Sequence, residues 1–247
     1  MTDRSAPADV RQNRILAALP EADRERVQRN LQPVFIVAGK TLYEPGVRLD
    51  YAYFPATAIV ADEYVTADGA SAEVAIVGSE GIVGIALFMG GGSRPNRAIV
   101  QASGWAYRLH HHHLHEEFAR AGALQHLLLL YTQALLTLTA QTAICNRHHT
   151  IDQQLCRWLL LSLDRSSSSV LTTTHEHIAN MLGVRREGVT EAAGKLQRLG
   201  LVRNSRGRIT VVDRAGLEAR SCECYRVVKR EYDRLLPEVT TDAAAAD

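Results

Sequence analysis

The sequence predicts an α+β fold in three parts: an N-terminal β domain, a small barrel or a jelly-roll-like roll, then one long helix, and a C-terminal helical unit closed by a β-hairpin. Three observations carry this. Residues 33–109 fall into short β-rich runs broken by glycine, proline and aspartate. Residues 116–149 hold no proline and a single glycine, over a length greater than most globular helices reach. Beyond the serines at 166–169, apolar residues return at helical spacing around Gly183 and then give way to two short alternating runs.

Composition sets the bounds. A chain of 247 residues with 46% hydrophobic and 22% charged residues suits two globular domains. No stretch approaches the roughly 20 uninterrupted apolar residues of a membrane span. His126–Cys145 comes nearest, but threonine and glutamine interrupt it. The first residues lack a hydrophobic core behind their charges, so no signal peptide and no membrane partner is expected, and the cytoplasm is the expected compartment. The net charge of +1 hides an asymmetry. Residues 170–236 carry thirteen Lys and Arg against eight Asp and Glu, and residues 185–208 carry seven against two. A basic segment on an otherwise acidic chain points to a polyanionic partner for that segment alone.

In chain order, residues 9–31 read as two short helices separated by Pro20. The β-rich runs follow, with the Asp-Gly of "TADGAS" marking a hairpin between two alternating strands. "LHHHHLHEEF" (109–118) reads as a polar, exposed hinge. If it is helical, His111 and His115 fall one turn apart, as do His112 with Glu116 and His113 with Glu117, and such pairs suit zinc or nickel or, through an imidazole, haem. That gives the alternative reading of a metal sensor or metal-dependent hydrolase built on residues 110–115. Against it, no Ser-His-Asp order, nucleophile elbow or Walker loop accompanies the histidines. No metal or other cofactor is expected.

The long helix is placed at 122–148. Leu124, Leu128, Tyr131, Leu135, Leu138, Thr142 and Cys145 alternate in steps of four and three, which is coiled-coil a/d spacing. They are the expected seam of a homodimer. Leu127, Leu129, Leu130 and Leu136 put apolar surface on other faces, so one face can pack on the β-roll and another on a second copy. "TIDQQLCRWLLLSLDR" (150–165) reads as an amphipathic helix, and the serine run after it as a surface loop near a domain boundary. Of the four cysteines, Cys222 and Cys224 are separated by one residue. On a helix they would occupy different faces, so all four are expected to be buried structural thiols.

The sharpest signal is "LTTTHEHIANMLGVRREGVTEAAGKLQRLGLV". A threonine N-cap opens a helix bearing Ile178, Ala179, Met181 and Leu182. Ala179, Gly183 and Val189 then fall where a helix-turn-helix needs a small crossing residue, a positive-φ turn and an apolar anchor. Leu201–Asp213 adds two strands around Arg206–Gly207, making the unit a winged helix. In that arrangement the second helix enters the major groove and the wing faces phosphates. Arg185, Arg186, Glu187, Thr190 and Glu191 are the candidate base readers, since arginine suits guanine and glutamate accepts from cytosine. Thr174, Lys195, Arg203, Ser205, Arg206 and Arg208 are the candidate backbone contacts. Val189, Ala192, Leu196 and Leu199 face the core, and Gly188 is expected to loosen the start of the helix. The partner these features imply is double-stranded DNA.

This order of β-roll, long helix and winged helix resembles the Crp/Fnr superfamily of bacterial transcription regulators. The resemblance implies a cyclic-nucleotide-binding-like sensor domain at 9–121, a dimerisation helix at 122–148, a DNA-binding domain at 149–236 and a disordered tail at 237–247. It also implies RNA polymerase as a partner, and base reading by Arg186 and Glu187. Where cyclic-AMP-responsive members place a further arginine four residues beyond the glutamate, this chain has Glu191, so a different operator is expected. Their phosphate cassette needs a glycine-glutamate pair and then an arginine. Here Gly84 is followed by Ile85, and Asn96 stands at the arginine position with Arg97 one place later. Isoleucine accepts no hydrogen bond from a ribose, so cyclic AMP and cyclic GMP are not the expected effectors, and the effector is left open. No cysteine precedes Cys145, which excludes the N-terminal iron–sulfur type.

Overall fold

The computed structural model describes residues 9–236 apart from 70 and 167, so the tail expected at 237–247 lies outside the described residues. The three-part α+β architecture is observed. Two short helices, α1 (Arg14–Ala17) and α2 (Glu21–Gln28), precede the roll. Asn13 caps α1 and is fully buried, because its amide also donates to the carbonyls of Pro55 (3.0 Å) and Gly81 (2.8 Å).

The roll is two antiparallel sheets. One orders β1 (Gln32–Ile36), β7 (Gly104–His110) and β3 (Tyr51–Pro55); the other orders β2 (Thr41–Tyr43), β6 (Arg97–Ala102), β4 (Ile59–Val65) and β5 (Ser71–Val77). Alternation along the strands sends Ile36, Phe54, Val60, Ile76, Val100 and Leu109 into the core. The β4–β5 hairpin closes where the Asp-Gly predicts, with Gly69 N–H donating to the Thr66 carbonyl (2.9 Å).

The expected histidine hinge is instead a helix, α3 (His111–Ala119), whose N-cap is His110. It breaks at Ala121, where φ is +55°, and α4 (Ala123–His148) follows. By length and composition α4 could cross a bilayer, but one face of it is covered by its own chain. That face is the expected dimer seam. Leu124, Leu128, Tyr131, Leu135, Leu138 and Cys145 are buried within the single chain and Thr142 is half-buried, so the seam prediction is corrected. This face is covered by β5 and α1 and, along most of its length, by α9 (Glu223–Leu235), a helix additional to those expected from the sequence. Its Cys224, Tyr225, Val228, Tyr232 and Leu235 form the apolar stripe that lies along α4, with Tyr131 and Tyr232 edge to face.

The outward face of α4 carries Leu129, Gln133, Leu136, Ala140, Ala143 and Arg147, also in alternating steps of four and three. Leu136 is 67% exposed and Leu129 52%.

Helix α5 (Ile151–Asp164) begins in a capping box between Thr150 and Gln153. Strand β8 (Val170–Thr172) was not foreseen, being three residues long. It joins β9 (Val202–Ser205) and β10 (Arg208–Val211) in the order β8-β10-β9. Helices α6 (His175–Leu182), α7 (Arg186–Arg198) and α8 (Arg214–Arg220) complete the unit, and α6 also packs on β5 of the roll.

Candidate nucleic-acid interface

Thr174 caps α6 by accepting the His177 N–H (3.1 Å), which commits the hydroxyl expected to reach the DNA backbone. Gly183 ends the helix in the left-handed region, at φ +64°, and Val184 N–H returns to the Ala179 carbonyl (3.0 Å). That turn directs α7 outward. Ala179 (2% exposed) sits where the helices cross, while Val189, Ala192, Ala193 and Leu196 anchor α7 inside. Leu199, expected on the core side, is exposed where the helix ends. Gly188 does not loosen the helix start. A Cβ there would stand 2.7 Å from Ile151 Cδ1, so the glycine lets α7 close on α5.

Arg185, Arg186, Glu187, Thr190 and Glu191 are all exposed on the first half of α7. Arg186 lies 3.8 Å from Glu176, but both side chains are mostly solvated, so this surface pair holds Arg186 only weakly. The Thr190 hydroxyl is already engaged with the Arg186 carbonyl (3.0 Å) and His175 Nδ1 (3.2 Å). Opposite α7, the wing turns at Arg206–Gly207 and presents Arg203, Ser205, Arg206 and Arg208 to solvent. Arg186, Ser205, Arg206 and Arg208 line one open cleft between the start of α6 and the wing. Besides Thr174, Lys195 departs from the predicted phosphate contacts. It faces α5 and pairs with Asp152, because positions 188, 192 and 195 form the side of α7 that packs there.

In the degenerate cassette, Gly84 is left-handed and Ile85 opens a short 3₁₀ turn. Asn96 is buried (2% exposed). Arg97, one place beyond the cassette's arginine position, is bound to the buried Glu63 at 2.6 Å across the β4–β6 pair, and Arg94 holds Asp62 at 2.8 Å. The histidine run does not converge. His112 and His113 each approach Glu116 at the surface (3.3 and 3.2 Å), and Glu117 is taken by Arg26 and Arg120 instead of His113. His111 and His115 gain no third metal-capable neighbour among the described residues.

Residues 153–220 match the family model of the Crp-like helix-turn-helix domain. No curated protein matches the chain by sequence. Several solved structures share its fold. A putative Crp/Fnr-family transcriptional regulator from Eubacterium rectale is 16% identical with a TM-score of 0.65, over 83% of this chain and 96% of that one. FixK2 from Bradyrhizobium japonicum is 17% identical with a TM-score of 0.64, over 78% and 98%. A Crp/Fnr-family regulator from Thermus thermophilus is 24% identical with a TM-score of 0.60, over 77% and 98%. Residues 153–220 thus form a Crp-like helix-turn-helix domain, and they stand behind a β-roll and a long helix in the fold shared by these Crp/Fnr-family regulators.

Proposed function

We propose that the protein is a homodimer that reads a pseudo-palindromic operator through Arg185, Arg186, Glu187 and Glu191, with an effector other than a cyclic nucleotide. The observation that carries the reading is the cleft in which Arg186 and the wing arginines meet, solvated and weakly paired, on the most basic part of the chain. Arginines on a helix start and on a wing suit base edges and flanking phosphates respectively. Two-fold symmetry brings two such clefts to half-sites about 34 Å apart. The outward face of α4 supplies the contact: Leu129, Leu136 and Ala143 repeat every seven residues and lack cover within the chain.

Ile85 in place of a carboxylate, and the pairing of Arg97 with Glu63, support an effector outside the cyclic nucleotides. Nothing at those positions offers a free charge to a cyclic phosphate and its ribose together.

Sites selected from random duplexes provide the test. Arg186→Ala is expected to cost about 1–3 kcal/mol and to relax one base position in each half-site. Arg206→Ala is expected to weaken all sequences alike and to lower the salt slope by about 1. Unchanged sequence preference in Arg186→Ala contradicts the groove assignment.

A further inference from the structure

Cys145, Cys222 and Cys224 form a small buried cluster separate from the main core, and His149 closes it. Three Sγ atoms and one ring nitrogen all lie within 4.8 Å of one another. Among the described residues no other group of three or more metal-capable side chains converges in this way. The expectation that Cys222 and Cys224 would part to different faces fails because Cys222 is not in the helix. It is the N-cap of α9, with extended backbone, and only Cys224 lies within the first turn. Cys145 and His149 come from the other side, four residues apart at the end of α4, where the His149 N–H caps the Cys145 carbonyl at 3.1 Å.

The spacing is that of a mononuclear site. Cys145 Sγ stands 3.5 Å from Cys222 Sγ, and Cys224 Sγ 3.6 Å from His149 Nδ1. A tetrahedron with bonds of about 2.3 Å to sulfur and about 2.0 Å to nitrogen has edges of roughly 3.5–3.8 Å, so these two edges already fit. Four donors this close leave no room for an inorganic core of several irons and sulfides. Thiolates and an imidazole, sequestered from water, select zinc-class ions over calcium or magnesium.

The surroundings are those of a metal-bound histidine. His149 turns Nδ1 to the cluster and Nε2 to the Glu223 carboxylate at 3.4 Å, the carboxylate–histidine arrangement that orients an imidazole ligand. Buried Gln154 donates to the His149 carbonyl (2.9 Å) and the Cys145 carbonyl (3.5 Å), fixing the backbone that carries two ligands. Buried Arg157 donates to Thr142 beside Cys145 and places a positive charge near a centre whose three thiolates outweigh a divalent ion by one.

We infer that Cys145, His149, Cys222 and Cys224 bind one zinc-class divalent ion. The ion ties the end of α4 to the start of α9 across the α4–α5 joint, where the long helix passes into the DNA-binding unit. The full-length protein, reduced and stripped of metal, is titrated with Co²⁺ alone. One Co²⁺ per chain is expected, with thiolate-to-cobalt charge-transfer absorption and strong visible d–d bands, both abolished by one equivalent of Zn²⁺. Zn²⁺ at a thousandfold excess over its Kd is expected to raise the melting midpoint by roughly 10 °C.

Cys156→Ser, a buried cysteine outside the cluster, should leave the spectrum unchanged. Cys224→Ser should remove much of the charge transfer, and His149→Ala should shift the d–d bands while keeping thiolate absorption. Glu223→Gln should weaken Zn²⁺ binding by about 10–100-fold. A stripped, folded protein without charge transfer overturns the inference. So does a spectrum unaltered by His149→Ala, a variant that spares the thiol packing should Cys224→Ser fail to fold. A Cys145–Cys222 disulfide in the purified protein, with no Co²⁺ uptake after reduction, overturns it too.

Discussion

Glu73, on β5 where the roll meets α4, α5 and α6, shows how one residue ties pH to stability. Burial raises its carboxyl from an ordinary 4.5 to about 8, and its Oε2 has no hydrogen-bond partner. The folded state therefore keeps a proton that the unfolded chain gives up between those values. The sign follows: this contribution is complete below pH 4.5 and is lost as pH rises through 8. His177, held below its ordinary value by burial, acts in the opposite direction, but it is neutral in both states above neutrality. From about pH 7 to 8.5, the unfolding free energy of the wild type, taken from urea titration, should fall more steeply than that of Glu73→Gln, by up to about 1.4 kcal/mol per pH unit. Parallel curves would contradict the burial argument. The residues of α7 were legible in the sequence because a positive-φ turn and a basic helix start are local features. The partners of Arg97, Lys195 and Glu73 were not, since each is set by a side chain from another element.

Arg165, at the end of α5, clamps that helix to the roll. Its Nε donates to Glu80 (2.7 Å) and to the Ile76 carbonyl (3.1 Å), its Nη1 to the Leu161 carbonyl (3.0 Å), and both charged side chains are buried. Arg165→Ala strands the Glu80 carboxylate and should cost about 3–5 kcal/mol in chemical denaturation. Arg165→Met with Glu80→Leu, which removes both charges, should cost much less. Equal losses would show that the ion pair is not what joins the two elements. The periodic helices α5, α6 and α7, the threonine cap of α6 and the β4–β5 hairpin could be read from sequence. Strand β8 could not, because three residues carry no measurable alternation and its pairing with β10 is a tertiary event. Helix α9 had a readable signal in Cys224, Tyr225, Val228, Tyr232 and Leu235, which share one helical face.

For the whole molecule, α4 has one buried and one exposed apolar face, and in the proposed dimer these would separate folding from assembly. Leu136→Glu, on the outward face, should leave the circular dichroism unchanged, shift sedimentation toward the monomer and weaken operator binding at a fixed chain concentration. Leu135→Glu, one residue away but 6% exposed, should cost several kcal/mol of stability instead. If the two variants behaved alike, α4 would have no separate face for a partner. By itself the sequence determined the order of roll, long helix and winged helix, along with the charged surface of α7, since periodicity, caps and turns act within a few residues. Tertiary structure decided which face of α4 is covered, which charges are already paired, and that three cysteines and a histidine meet. Those outcomes depend on contacts between segments about eighty to a hundred residues apart, which no local pattern encodes.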